Sequence, residues 1–152
     1  MKKIIVSGGF DPLHIGHLRM FQEAKNLGDY LIVILNSDNF LLKKKGYIFM
    51  PSQERKELIE GLSCVDEVVD SIDKDQTVSL TISSICKDNH TYFFANGGDR
   101  SKPESIPESD ICKKNNVQLI FNIGGEKIQS SSDLLKPYIN TVEKKPWGYY
   151  EV

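Results

Sequence analysis

His14 and His17 stand three residues apart in the stretch GGFDPLHIGHLRMF, after Gly8, Gly9 and an Asp11-Pro12 step. Imidazoles at this spacing share one face of a helix. They could ligate a metal, pack as satisfied core residues, or donate N–H groups to a phosphate. A zinc site needs a third protein ligand, but Asp11 lies across the proline turn and His90 far along the chain. Packing leaves the clustering with glycines unexplained. The phosphate reading explains more. Gly8 and Gly9 let backbone approach a ligand closely. A helix starting near Ile15 or Gly16 would turn its first N–H groups and positive dipole end toward the same spot. Donors aimed at a phosphorus centre that gains charge suit phosphoryl or nucleotidyl transfer. No Gly-Lys-Ser/Thr follows, and the glycines do not spell G-x-G-x-x-G, so neither common phosphate loop is present.

The elements around this motif alternate between two periods. Residues 3–7 form a short β-branched run that reads as a fully buried strand. Residues 15–27 read as a helix with Ile15, Leu18, Phe21, Ala24 and Leu27 on its apolar face, stopped by Gly28. YLIVIL, residues 30–35, is a second buried strand, followed by a helical turn and a mobile basic loop holding Lys43, Lys44 and Lys45. Residues 52–60 form a helix with Ser52 as N-cap and Gly61 as stop. Arg55 shares its inward face with Leu58, Ile59 and Leu62, which sends the guanidinium toward the sheet. Further strands are expected at 65–69, 91–96 and 117–123, with helices at 77–87 and 106–115 and a last helix that Pro137 shortens or kinks. This order predicts an α/β, Rossmann-like, doubly wound five-stranded parallel sheet with helices on both faces. Ligands in such folds sit at the carboxyl ends of the strands, near the switch in strand order.

Composition narrows the class. The chain has 152 residues, 39% hydrophobic and 26% charged, with a net charge of −2. That length suits one domain with a real core, and the charge lacks the basic excess of a general nucleic-acid binder. Cys64, Cys86 and Cys112 are far apart and form no C-x-x-C pair, which points to reduced thiols in a cytoplasmic chain. The opening MKKIIVSGG breaks its apolar run too early for a signal peptide, and no stretch is long enough to span a membrane.

GGFDPLHIGHLRMFQEAKNLGDYLIVILNSD resembles the opening of the cytidylyltransferase-like nucleotidyltransferase family, whose hallmark is H-x-G-H. The resemblance runs to about residue 135 and is nearest the glycerol-3-phosphate cytidylyltransferase branch. It implies catalytic roles for His14 and His17 at the nucleotide phosphates and for Lys44 at the outer ones. Gly8, Gly9, Phe10, Asp11 and Gly16 become nucleotide-binding. Lys43, Lys45 and Arg55 fall at the substrate site. Asp99 matches a Gly-Asp step, and Ser130 and Ser131 match a Ser-Thr pair at a helix N-terminus. An arginine that begins that last motif is replaced here by Gly125, with Lys127 supplying charge two places on. The loop after Asp99 is longer and carries Arg100 and Lys102. These departures point away from glycerol phosphate toward another phosphorylated polyol or sugar. The implied reaction uses CTP, or ATP as the rival donor, with Mg²⁺ held mainly by nucleotide phosphates, in a homodimer. A non-catalytic nucleotide-binding module is the alternative from another class.

Residues 1–139 are expected to form the nucleotidyltransferase domain. The tail at 140–152, NTVEKKPWGYYEV, resembles the start of a cupin domain of the mannose-6-phosphate isomerase type. It reads as the beginning of a truncated second domain and favours a sugar-related acceptor.

Overall fold

The computed structural model describes residues 1–97, 102–124 and 130–139. Asp99, Arg100, Lys127 and the cupin-like tail lie outside the described residues.

Five strands form one parallel sheet: β1 (Lys2–Gly8), β2 (Tyr30–Leu35), β3 (Glu67–Asp70), β4 (Thr91–Gly97) and β5 (Gln118–Ile123). Their order is β3-β2-β1-β4-β5, all parallel. Helices fill the connections: α1 (Ile15–Asn26), α2 (Asp38–Lys45), α3 (Ser52–Glu60), α4 (Ser79–Ile85), α5 (Ser109–Lys114) and α6 (Ser131–Ile139), with a short 3₁₀ turn at Pro103–Ser105. The expected doubly wound α/β sheet is therefore present. The order of strands reverses between β1 and β4, which opens a crevice at their carboxyl ends.

Alternation along the buried strands builds a core on each face. Ile4, Val6, Leu31, Val33 and Leu35 pack with Phe21 and Ala24 of α1 and Ile59 of α3. Ile5, Ile32, Ile34 and Phe94 pack with Val78, Ile82 of α4 and Cys112 of α5 on the other face. Removing so many branched side chains from water is the main term holding the fold together.

Several expectations need correction. Lys43, Lys44 and Lys45 are not in a loop but form the last turn of α2, closed by Gly46 in the left-handed region at φ 82°. Cations there complement the negative helix end. Ser52 does not cap α3. Pro51 holds the cap position without a side-chain bond, and Asp38 Oδ1 accepts the Ser52 N–H at 3.0 Å instead. Leu58 is exposed rather than inward-facing, as are Ile15 and Leu27 at the two ends of the α1 stripe. The strand expected at 65–69 runs Glu67–Asp70, and the helices expected at 77–87 and 106–115 shorten to Ser79–Ile85 and Ser109–Lys114. Pro137 lies inside α6, which is described through Ile139.

Candidate functional site

The site is built on the loop between β1 and α1. Phe10 adopts a left-handed φ of 53°. Its buried ring lies over Gly8, where an added Cβ would come within 2.8 Å of it. The ring meets Phe21 and His17 edge-on, with centroids 5.1 and 4.9 Å away.

Asp11 and Arg55 hold this loop from beneath. Asp11 precedes a cis peptide to Pro12 and is fully buried. Its carboxylate accepts N–H groups from Phe49 at 2.7 Å and Met50 at 2.6 Å, and its carbonyl accepts Lys45 Nζ at 3.1 Å. Burial raises the Asp11 carboxyl above its ordinary 3.8, against the opposing pull of those N–H groups, Arg55 and Lys45. Burial likewise lowers the Lys45 ammonium, with Asp11 opposing.

Arg55 is 0% exposed. Its Nε donates to Met50 O at 2.8 Å, Nη1 to Gly9 O at 2.7 Å and Asn36 O at 3.0 Å, and Nη2 to Asp38 Oδ1 at 2.6 Å. The planar fork joins three carbonyls and a carboxylate from three segments, around Gly9, Asn36–Asp38 and Met50. The guanidinium does lie at the sheet, as the helical face implied. Its partners there are protein groups that position Gly9, and full burial separates it from a solvent-accessible acceptor.

The two histidines close the start of α1 reciprocally. His14 is the N-cap, and its Nδ1 accepts the Gly16 N–H at 3.1 Å. His17 Nδ1 accepts the His14 N–H at 3.2 Å. The rings stack with centroids 3.8 Å apart. Gly16 permits this, because a Cβ there would lie 2.9 Å from the His14 ring. A nitrogen that accepts carries no hydrogen, so each neutral ring holds its proton on Nε2. Two N–H groups expected to face a ligand are thus taken by the imidazoles.

A second helix start reaches the same loop. Ser130 Oγ accepts the Asp133 N–H at 3.2 Å, capping α6, and Ser131 Oγ donates to Pro12 O at 2.8 Å. The histidine loop and the Ser130–Ser131 pair, separate in sequence, are neighbours.

Beside them, at the switch between β1 and β4, lies a cavity of about 430 Å³ whose lining includes Gly8, Gly9, Asn36, Lys44, Asn96 and Glu108. Gly8, Gly9 and Lys44 were expected at a site; Asn36, Asn96 and Glu108 were not singled out. Asn36 and Asn96 sit at the carboxyl ends of β2 and β4, a position legible in the sequence. Glu108 reaches the cavity from the connection to α5. Lys43 is exposed at the end of α2, and neither Lys43 nor Lys45 is among the described residues of the lining. Among the described residues no three His, Cys, Asp or Glu side chains converge to hold a metal, and no helix is long and apolar enough to cross a membrane.

Comparison with known proteins agrees with this architecture. Over 79 residues the chain is 42% identical to the glycerol-3-phosphate cytidylyltransferase of Bacillus spizizenii, covering 52% of this chain and 61% of that protein. It is 34% identical over 120 residues to the FAD synthase of Thermococcus sibiricus, 78% of each chain. The crystal structure of the lipopolysaccharide core biosynthesis protein from Thermoplasma volcanium superposes with a TM-score of 0.66 at 27% identity, over 84% of this chain and 99% of that one. Residues 5–142 match the cytidylyltransferase-like family, and the chain belongs to it.

Proposed function

We propose that the chain is a nucleotidyltransferase that moves CMP from CTP to a phosphorylated polyol or sugar and releases pyrophosphate. The observation that carries this reading is the meeting of two helix starts, α1 with its imidazole pair and α6 with its serines, at one loop beside the cavity. Such ends favour an anion through the positive end of the helix dipole, and here the capping side chains stand where the donors are needed. An acceptor phosphate oxygen attacks the α-phosphorus in line. The bond from that phosphorus to the bridging oxygen breaks, and its electron pair leaves with pyrophosphate. His14 and His17 donate Nε2–H groups to the α-phosphoryl oxygens as they gain charge. Lys44 draws the outer phosphates, and Ser130 and Ser131 support the nucleotide at α6. Asp99 joins the nucleotide contacts on the strength of the family resemblance, while Lys127 and Arg100 add charge for nucleotide and acceptor where the sequence departs from that pattern. Asp11 and Arg55 act by holding the loop in place.

Mg²⁺, when bound, supplies charge neutralisation of the triphosphate. With Asp11 engaged by two backbone N–H groups, the described residues suit an ion carried on phosphate oxygens rather than in a protein cage.

The FAD synthase likeness supports a second reading, ATP as the donor, since FAD carries an adenylyl group. Pyrophosphate release measured with CTP and ATP across alditol and sugar phosphates separates the two. Release with CTP alone is expected. Release with ATP alone makes it an adenylyltransferase, and none with any pair leaves a nucleotide-binding module.

A further inference from the structure

Phe10 stands in a backbone conformation that its residue type disfavours. Its φ of 53° lies in the left-handed region, where a bulky side chain is an outlier. Its ring is buried, and Phe10 is not among the described residues of the cavity lining. Backbone of this kind persists where the surroundings over-determine it, and it gathers at working sites.

Three contacts of the ring do so. The ring lies over Gly8, where an added Cβ would meet Cζ at 2.8 Å and Cε1 at 2.9 Å. The missing side chain of Gly8 thus makes room for the ring. The Phe10 plane stands at 72° to Phe21 of α1, with centroids 5.1 Å apart, and at 86° to His17, with centroids 4.9 Å apart. The carbonyl of the neighbouring Gly9 is held by Arg55.

His17 in turn is fixed from several sides. Its Nδ1 accepts the His14 N–H at 3.2 Å, and its ring stacks on the His14 ring at 3.8 Å. The N–H bond selects one of two ring flips, because a half-turn about χ2 would put a carbon where Nδ1 stands. That bond is at the long end of the usual range and is a modest hold by itself. The perpendicular contact with Phe10 and the stack on His14 fix the plane in which it forms.

We propose that the Phe10 side chain is a positioning residue for His17, holding the imidazole in the one orientation that caps α1 and leaves Nε2 for a ligand. This rests on the transfer reading above, which gives His17 its donor role. A donor set loosely by even 1 Å can forfeit about 100-fold in rate.

The test is Phe10→Leu, made alone and together with His17→Ala. Leucine keeps much of the apolar volume and meets the same backbone demand, but has no flat ring. Phe10→Met, unbranched and adaptable, repeats the comparison should the leucine variant not fold. Phe10→Leu should lower kcat about 10- to 100-fold and leave the KM for nucleotide within about threefold. Added to His17→Ala, it should cost less than about twofold more, because a residue that acts through His17 then has nothing to position. Equal penalties in both backgrounds would overturn the proposal. Nitrogen-15 NMR of the imidazoles reads the orientation without turnover. Wild-type His17 should show a single Nε2–H tautomer, and Phe10→Leu a mixture of tautomers. An unchanged His17 signal in Phe10→Leu would also overturn it. A released His17 signal in Phe10→Leu, with no pyrophosphate formed by wild type from any substrate pair, keeps the positioning and removes the transfer reading. Wild-type turnover that Phe10→Leu leaves within about twofold keeps transfer and removes the positioning.

Discussion

Arg55 and Gly9 are 46 positions apart, and Arg55 Nη1 donates to the Gly9 carbonyl at 2.7 Å. The bond fixes the strand-to-helix loop carrying His14 and His17 to the middle of α3. It also removes Arg55 from solvent. Arg55→Lys keeps the charge but cannot join four acceptors at once. Asp38 is half-buried and regains water, but each buried carbonyl left without its guanidinium donor costs about 1–3 kcal/mol. Urea unfolding of Arg55→Ala should show a loss of that order, and Arg55→Lys a smaller but clear one. A loss under about 1 kcal/mol for Arg55→Ala would show that the fork does not hold the loop.

The histidine pair serves the helix and the proposed chemistry together, and the two can be separated by size of effect. Losing an N-terminal cap costs about 0.5–2 kcal/mol of stability. Losing a donor to a charge-gaining phosphoryl group costs about 10²–10³ in kcat. His17→Ala should remain folded by circular dichroism and show the larger kinetic loss at saturating substrates. Turnover within a few-fold of wild type would confine His17 to capping.

Adjacent lysines should part company. Lys44 lines the cavity, while Lys45 donates to the Asp11 carbonyl. Lys44→Ala is expected to raise substrate KM and flatten its dependence on salt, because a charge facing phosphate is screened by ions. Its melting temperature should hardly change. Lys45→Ala should lower the melting temperature more than Lys44→Ala does. The reverse pattern in a thermal scan and steady-state assay would exchange their roles.

Asp11 gives a pH dependence with a definite sign. Its folded carboxyl is raised above 3.8, chiefly by burial. The native state therefore holds more protons than the unfolded chain across that interval, and stability falls as pH rises through it. The contribution is fully present below 3.8 and lost above the folded value. Asp11→Asn cannot titrate. Denaturant midpoints across the acid range should show wild type losing ground to Asp11→Asn as pH rises from 3.8, with a constant difference thereafter. A difference of opposite slope would mean the two N–H bonds outweigh burial.

Local pattern carried much of this. The apolar runs of β1 and β2, the middle of the α1 face at Phe21 and Ala24, and the His14–His17 pair beside glycines are all written within a few residues of one another. The parallel sheet with helices on both faces follows from the β–α alternation, whereas the strand order that puts the crevice between β1 and β4 is seen only in the fold. What local pattern missed is non-local. Asp11 reads as a loop residue until Phe49 and Met50, nearly forty positions on, supply its N–H partners. Asp38 took the capping role assigned to Ser52 because the fold brings its carboxylate to the start of α3. The three lysines looked like a loop because charge runs usually are solvated, but the end of a helix stabilises the same charges. Asn36 and Asn96 stand at strand ends that the sequence locates, but Glu108, before α5, reaches the same cavity only through the topology of the sheet.

The central claim is transfer of the α-phosphoryl group with its nucleoside. It is tested most directly by supplying CTP labelled at either the α- or the γ-phosphorus, together with an alditol phosphate, and following the label. The account predicts α-label in the acceptor product and γ-label in pyrophosphate, with both signals lost together in His17→Ala. Label from the γ-position in the product, or no label leaving CTP with any acceptor, would contradict it.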